Sequence, residues 1–184
     1  HDKNHICEFG SVDGTLVAAA WESGMDNAIR FDGTKMLQNG PDAWSTDQES
    51  VDLNAYLSLE YTLLKKFAAL LDEPFLLPDY RSMVADYFFD KKDGFFYDRR
   101  MNATRDFVRE AGCEGYIPFW ANIATKEQFA KARKLLDNKK KFSTYIPFPT
   151  IAADNPKYDP KGYWRGPIWL DQTYYGIKGY RNYG

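Results

Sequence analysis

Apolar residues recur at helical spacing over several separate stretches of the chain. From Val51 to Leu71 the positions Leu53, Tyr56, Leu57, Leu63, Leu64, Phe67, Leu70 and Leu71 predict a long amphipathic helix, which "DEP" at Asp72–Pro74 ends. A second helix follows Pro78, with Tyr80, Met83, Val84, Tyr87 and Phe88 on one face. "KKDGFFYD" reads as a tight turn at Asp93 and Gly94 with a short extended piece after it. Thr125 opens a third helix, because "TKEQ" is a capping box, and Phe129, Ala132, Leu135 and Leu136 continue it. A fourth begins near Pro167 and carries Trp169, Leu170, Thr173, Tyr174 and Ile177 towards Gly184. With a helix leading into Trp21, the count is five and the expectation all-α. The stretches Asn27–Asp47 and Lys139–Gly166 are left as loops, long enough to serve binding or catalysis rather than connection.

Composition narrows the function. The 184 residues are 44% hydrophobic and 27% charged, which suits one soluble globular domain spanning 1–184. A net charge of −2, with both signs scattered, gives no basic patch for a phosphate backbone, so nucleic acid is not an expected partner. No apolar run is long enough to span a bilayer, and "HDKNHICEFG" lacks the apolar core of a leader peptide. Cys7 and Cys113 lack metal-ligand spacing and leave the compartment open. An aromatic content of 17% in an otherwise polar chain is met more often by a large core with aromatic filler, and it also suits sugar binding, in which ring faces pack on pyranose C–H groups while polar edges meet hydroxyls.

Two clusters could carry that chemistry. In "WESGMDNAIRFDG" a helical Trp21–Asp26 would put Glu22 and Asp26 about 5–6 Å apart at Cβ, close enough for one carboxylate to favour protonation of the other. A protonated carboxyl near neutral pH is a general acid, as glycoside hydrolysis needs. Glu22 would approach a sugar from the same side as Asp26, so it suits tuning or hydroxyl binding better than the role of second catalytic group. In "GYWRGPIWLDQTYYGIKG" two tryptophans flank an Arg-Gly-Pro turn. Indole faces and the Arg165 guanidinium could meet there, with Gly166 letting backbone approach a ligand. A purely structural role for each cluster, an exposed charge pair in the first and helix-pinning indoles in the second, is the competing account. Asp154, Asn155 and Asp159 in "ADNPKYDPKG" offer hard oxygens without the spacing of a calcium loop. Turn and capping roles are expected there, with no metal and no cofactor.

"WESGMDN" with "RFD", then "GYIPFWANIATKEQFAKARKLL", then "PFPTIAADNPKYDPKGYWRGPIWLDQTYYGIKGYRNYG" resemble glycoside hydrolase family 63 and its bacterial glucosidase-like members, in the family's order over about Gly14–Gly184. The resemblance implies an (α/α)6 barrel and inverting hydrolysis of α-linked glucosides or related oligosaccharides by an Asp acid and a Glu base. It is consistent with a periplasmic or secreted bacterial setting. Asp26 matches the acid, Glu22 its neighbouring carboxylate, and Trp164, Arg165, Gly166 and Trp169 pocket positions. The substrate-binding set is then Trp21, Glu22, Asn27, Arg30, Trp164, Arg165, Gly166 and Trp169. The family's base lies after the "WRGPIW" helix, beyond Gly184. Five helices in 184 residues extrapolate to about 440 for twelve, so part of a barrel is expected, with the missing segments as its partner and apolar helix faces left uncovered. A trehalase-like or mannosylglycerate-type hydrolase and a non-catalytic carbohydrate-binding piece are the alternatives. A terpenoid cyclase is set aside because no "DDxxD" occurs.

Overall fold

The structure, a computed structural model, describes residues 4–184; residues 1–3 of the segment read for a leader lie outside them. The fold is mixed α/β, which overturns the all-α (α/α)6 expectation. Strands β1 (Glu8–Ser11), β2 (Met36–Gly40), β3 (Ala43–Glu49) and β6 (Arg99–Arg100) form one antiparallel sheet. β3 is its hub: Glu8 faces Glu49 from β1, Met36 faces Thr46 from β2, and Gln48 faces Arg100 from β6. A two-stranded ribbon, β4 (Phe89–Asp90) with β5 (Phe95–Phe96), turns at the expected place, and Gly94 there has φ +73°.

The reason the sheet escapes the hydrophobic pattern lies in β3. Its buried side chains are Ser45, Thr46, Gln48 and Glu49, all polar, so no apolar alternation marks the strand. Burial of such groups is tolerable only because each is met. Thr34 Oγ1 donates to Gln48 Oε1 at 2.9 Å, Gln48 Nε2 donates to Asp98 Oδ2 at 2.6 Å, and the Tyr87 hydroxyl donates to Glu49. A tight two-residue connection, Pro41–Asp42, joins β2 to β3 within what the sequence leaves as a loop.

The helices follow their apolar periodicity more closely. They are α1 (Leu16–Glu22), α2 (Val51–Leu70), α3 (Arg81–Phe88), α4 (Ile117–Trp120), α5 (Lys126–Leu136) and α6 (Leu170–Tyr183). At α5 the expected capping box is present: the Thr125 side chain accepts from Gln128 N at 3.1 Å and Thr125 N donates to Gln128 Oε1 at 2.8 Å. α6 starts later than its proline suggests, because Ile168 is held extended in a bridge to Pro149 and the helix waits until Leu170. The one-turn α4 is too short to register as a period.

The interior is aromatic. Phe119 on α4 makes edge-to-face pairs with Phe96 and with Phe129, each at a centroid distance of 5.2 Å. α6 reaches this cluster through glycine: a Cβ at Gly176 would stand 2.6 Å from the Phe148 ring, and one at Gly179 would stand 3.0 Å from Phe119 Cβ. The far half of α2 is different. Leu63, Leu64, Phe67 and Leu70, with Leu71, Leu76 and Leu77 after it, stay exposed and form an apolar stripe. Among the described residues no helix is long and apolar enough to cross a membrane.

Candidate active site

Asp26 does not sit on a helix with Glu22. Thr15 caps α1 by accepting from Ala18 N at 3.2 Å, and the helix stops at Glu22. Ser23 then accepts from Met25 N at 3.0 Å, and Gly24 takes φ +71°, which breaks the helical repeat. The like-charge pair on one helical face is therefore corrected: Trp21 and Glu22 point to solvent, with Trp21 64% exposed, while Asp26 lies half-buried in the following turn.

Two anchors fix that turn. The first is Arg30, in a short 3₁₀ segment, Ile29–Phe31. It is 2% exposed and meets Asp52 through two bonds of 2.8 Å each, with Asp98 at 3.3 Å from Nη1 and Met25 Sδ at 3.7 Å from Nη2. Its guanidinium also lies 4.7 Å from the Phe31 ring centroid. Burial opposes its charge, but Asp52 first, then Asp98 and Glu114, hold it well above its ordinary range. Arg30 is thus an interior tie between Met25 and the first turn of α2, enclosed among the described residues.

The second anchor is Asn27. Its Nδ2 donates to the Gly162 carbonyl at 3.0 Å, and its Oδ1 accepts from Trp164 N at 3.0 Å. Arg165 adds a bond of 3.2 Å to the Asn27 carbonyl and a fork to Asp32, at 3.0 and 2.9 Å. Lys157 reinforces Asp32 at 3.1 Å and bridges to Glu110 at 3.0 Å. The Arg165 hydrogen bonds first, with Lys157, hold the Asp32 carboxyl below its usual range. The two sequence clusters, more than a hundred residues apart, are therefore brought together, with Asp26 one residue from the junction.

Behind the junction the indoles of Trp164 and Trp169 stack, 4.2 Å between centroids and 8° between planes. Trp164 is buried, and its Nε1–H has no hydrogen-bond partner among the described residues; Trp169 is half-buried and donates from Nε1 to the Tyr163 carbonyl at 3.0 Å. The exposed Tyr163 ring lies edge-on to Trp169 at 5.2 Å. Gly166 is needed for a different approach than expected. A Cβ there would come within 2.4 Å of the Asp159 carbonyl oxygen, so the glycine admits the protein's own backbone. Asn155 and Asp159 accept from Lys157 N at 2.8 Å and Lys161 N at 2.9 Å, the turn-capping roles their spacing suggests.

Asp32, Asp52, Asp98 and Tyr163 were not singled out by sequence. For Asp52 a signal existed: an acid at the second position of an otherwise apolar helix start, aimed inward. Glu114 is a further buried carboxyl, pushed up to about 8 by burial, against the opposing pull of Arg30. The folded chain therefore keeps a proton that the unfolded chain releases from its ordinary 4.5 upward, so this group costs stability progressively as pH rises from about 4.5 to about 8. Glu114→Gln should flatten that part of the stability curve; urea unfolding of both proteins across this window checks it, and equal slopes would mean that Glu114 ionises freely in the fold.

Residues 7–184 match the model of the mannosylglycerate hydrolase MGH1-like glycoside hydrolase domain. The chain is 24% identical over 138 residues to a mannosylglycerate hydrolase of Thermus thermophilus, covering 73% of this chain and 33% of that protein. It is 29% identical over 105 residues to mannosylglycerate hydrolase MGH1 of Selaginella moellendorffii, covering 56% and 21%. The chain thus spans about a third or less of the length of these curated relatives. Among solved structures, an uncharacterized conserved protein from Thermus thermophilus superposes with a TM-score of 0.70 at 19% identity, over 89% of this chain and 50% of that one. The GH63 mannosylglycerate hydrolase from Thermus thermophilus, in complex with Tris and D-glycerate, gives 0.64 at 20% identity over 78% and 34%. Neutral trehalase Nth1 from Saccharomyces cerevisiae gives 0.64 at 20% over 91% and 32%. The family model covers nearly the whole chain, and the chain belongs to the mannosylglycerate hydrolase MGH1-like family of glycoside hydrolase domains.

Proposed function

We propose that this chain is part of an inverting glycosidase acting on α-linked glucosides or related oligosaccharides, with Asp26 as the acid that protonates the leaving oxygen. The observation that carries the reading is the junction: Asn27, next to Asp26, is bonded to the backbone on both sides of Tyr163, beside the stacked indoles. A half-buried carboxyl close in sequence to an aromatic platform, with the Tyr163 ring exposed at its edge, fits a sugar that packs one face and offers hydroxyls. Trp164 and Trp169 form the platform. Arg165 and Gly166 shape the loop.

Inversion needs a base about 6.5–9.5 Å from the acid, across the sugar. Glu114 is enclosed beneath the site, with its carboxyl pushed up to about 8 by burial, and Asp171 opens α6, so the base in this reading comes from outside these 184 residues. The oligosaccharide and the rest of the catalytic domain are then the two partners, and the exposed stripe on α2 suits cover by the latter.

A second reading is favoured by the family itself: the sugar carries a glycerate, as the names of the relatives indicate for those proteins. To separate the two, a polypeptide carrying this chain and its downstream segment is incubated with maltose-type glucosides, trehalose and mannosylglycerate, and the first-formed anomer is read by proton NMR. Early β-sugar from an α-glucoside supports the proposal, early β-mannose from mannosylglycerate alone supports the second reading, and early α-sugar from either overturns inversion.

A further inference from the structure

We propose that Asn27 is a positioning residue: its side-chain amide holds Tyr163 in a left-handed backbone conformation and thereby sets the stacked indoles in register with Asp26. The inference rests on the assignment of Asp26 as the acid, and it concerns a residue that the sequence suggests as a sugar ligand.

The geometry is that of a two-point clamp. Asn27 donates to the carbonyl of Gly162 and accepts from the amide of Trp164, the two groups that flank Tyr163, at 3.0 Å each. One N–H and one lone pair of the amide are engaged by backbone, which fixes the plane and direction of the Asn27 side chain. Tyr163 between them has φ +61°, a region that side-chain-bearing residues rarely adopt and that persists only when the surroundings impose it. The turn is closed locally by Arg165 N donating to the Gly162 carbonyl at 3.1 Å, so that one carbonyl serves both turn and clamp.

What the turn delivers is the Tyr163 carbonyl. It accepts from the Trp169 indole at 3.0 Å, and Trp169 in turn stacks on Trp164. Rotating the Tyr163 peptide to an ordinary conformation would withdraw this acceptor and slide the stack. The loop as a whole would stay attached, because the Arg165 fork to Asp32 and the bond from Gly166 N to Thr150 Oγ1, at 2.9 Å, do not pass through Asn27. Asn27 therefore governs the orientation of the platform rather than its presence. Since Asn27 follows Asp26 directly, the same clamp fixes the distance from the acid to that platform.

The Trp169 indole N–H is the reporter, because it touches the Tyr163 carbonyl and not Asn27. In Asn27→Ala its NMR signal should move towards that of a free indole and its exchange with solvent should quicken by about tenfold. Asn27→Asp keeps the acceptor for Trp164 N but loses the donor to Gly162, and should show an intermediate shift; it decides the matter if the alanine variant does not fold. Tyr163→Gly also removes the ring edge-on to Trp169, so it supplies its own reference: in that background Asn27→Ala should leave the Trp169 signal where Tyr163→Gly alone puts it, since glycine takes the left-handed turn without a clamp. On whichever α-glycoside the protein cleaves, Asn27→Ala should lower kcat/KM by about tenfold or more through both constants. An unchanged Trp169 N–H in Asn27→Ala, or an Asn27→Ala shift that persists in the Tyr163→Gly background, would overturn the clamp. Should the protein cleave no such glycoside, the indole signal still decides the clamp, and the failure falls on the assigned reaction.

Discussion

Asp26→Asn is expected to lower turnover of an unactivated α-linked glycoside by about 10²–10⁴-fold while leaving sugar binding in place. The substitution keeps the size of the side chain and removes the transferable proton. Asp26 lies in a turn held from both sides, by Arg30 in the interior and by Asn27 at the surface, so an amide there should disturb neither anchor. The loss should therefore fall on kcat. A substrate with a good leaving group needs little protonation and should lose far less. The measurement is kcat and KM for the two substrate types, with binding followed by calorimetry; turnover near the wild-type value on the unactivated glycoside would remove Asp26 from the reaction.

Arg30→Met is expected to cost about 3–5 kcal/mol of folding stability, because it leaves the Asp52 and Asp98 carboxylates buried without their cation. At about 2–4 °C per kcal/mol for a chain of this size, the melting temperature should fall by roughly 6–20 °C. Two details separate this from a generic core defect. The deficit should shrink as pH falls, since burial already raises the Asp98 carboxyl and its protonation relieves unpaired charge. Arg30→Lys should recover only part of the loss, because an ammonium cannot make the two-point contact with Asp52 that the fork makes. Thermal and urea unfolding at two pH values read both. A full-stability Arg30→Met protein with weakened sugar binding would instead place Arg30 at the substrate.

These contrasts show which parts of the molecule a sequence discloses. The helix over Val51–Leu70 and the capped helix from Thr125 are written in local terms, an apolar repeat and a side chain that meets a backbone amide three residues on. The sheet is not, because β3 turns polar groups inward and their partners lie far off: Gln48 reaches Asp98, fifty residues away. The same holds for the site. Asp26 and the "WRGPIW" tryptophans stood out as motifs, yet whether an Arg or Asn faces substrate or protein depends on partners at a distance. Arg30 finds Asp52 and Asp98, and Asn27 finds a backbone turn more than 130 residues later. The helical pairing of Glu22 with Asp26 failed for a local reason, the left-handed Gly24 between them.

The buried polar set joining Thr34, Gln48, Asp98, Arg30 and Asp52 also bears on how such chains diverge. Replacing one member strands its neighbour, at about 1–3 kcal/mol for each unmet buried group, so a lineage that changes one must change its partner almost at once. Identity to the relatives is 24–29% over the matched stretches, so most positions differ. Bonded directly to one another, these five should be retained together or exchanged together across family members, as a covarying block.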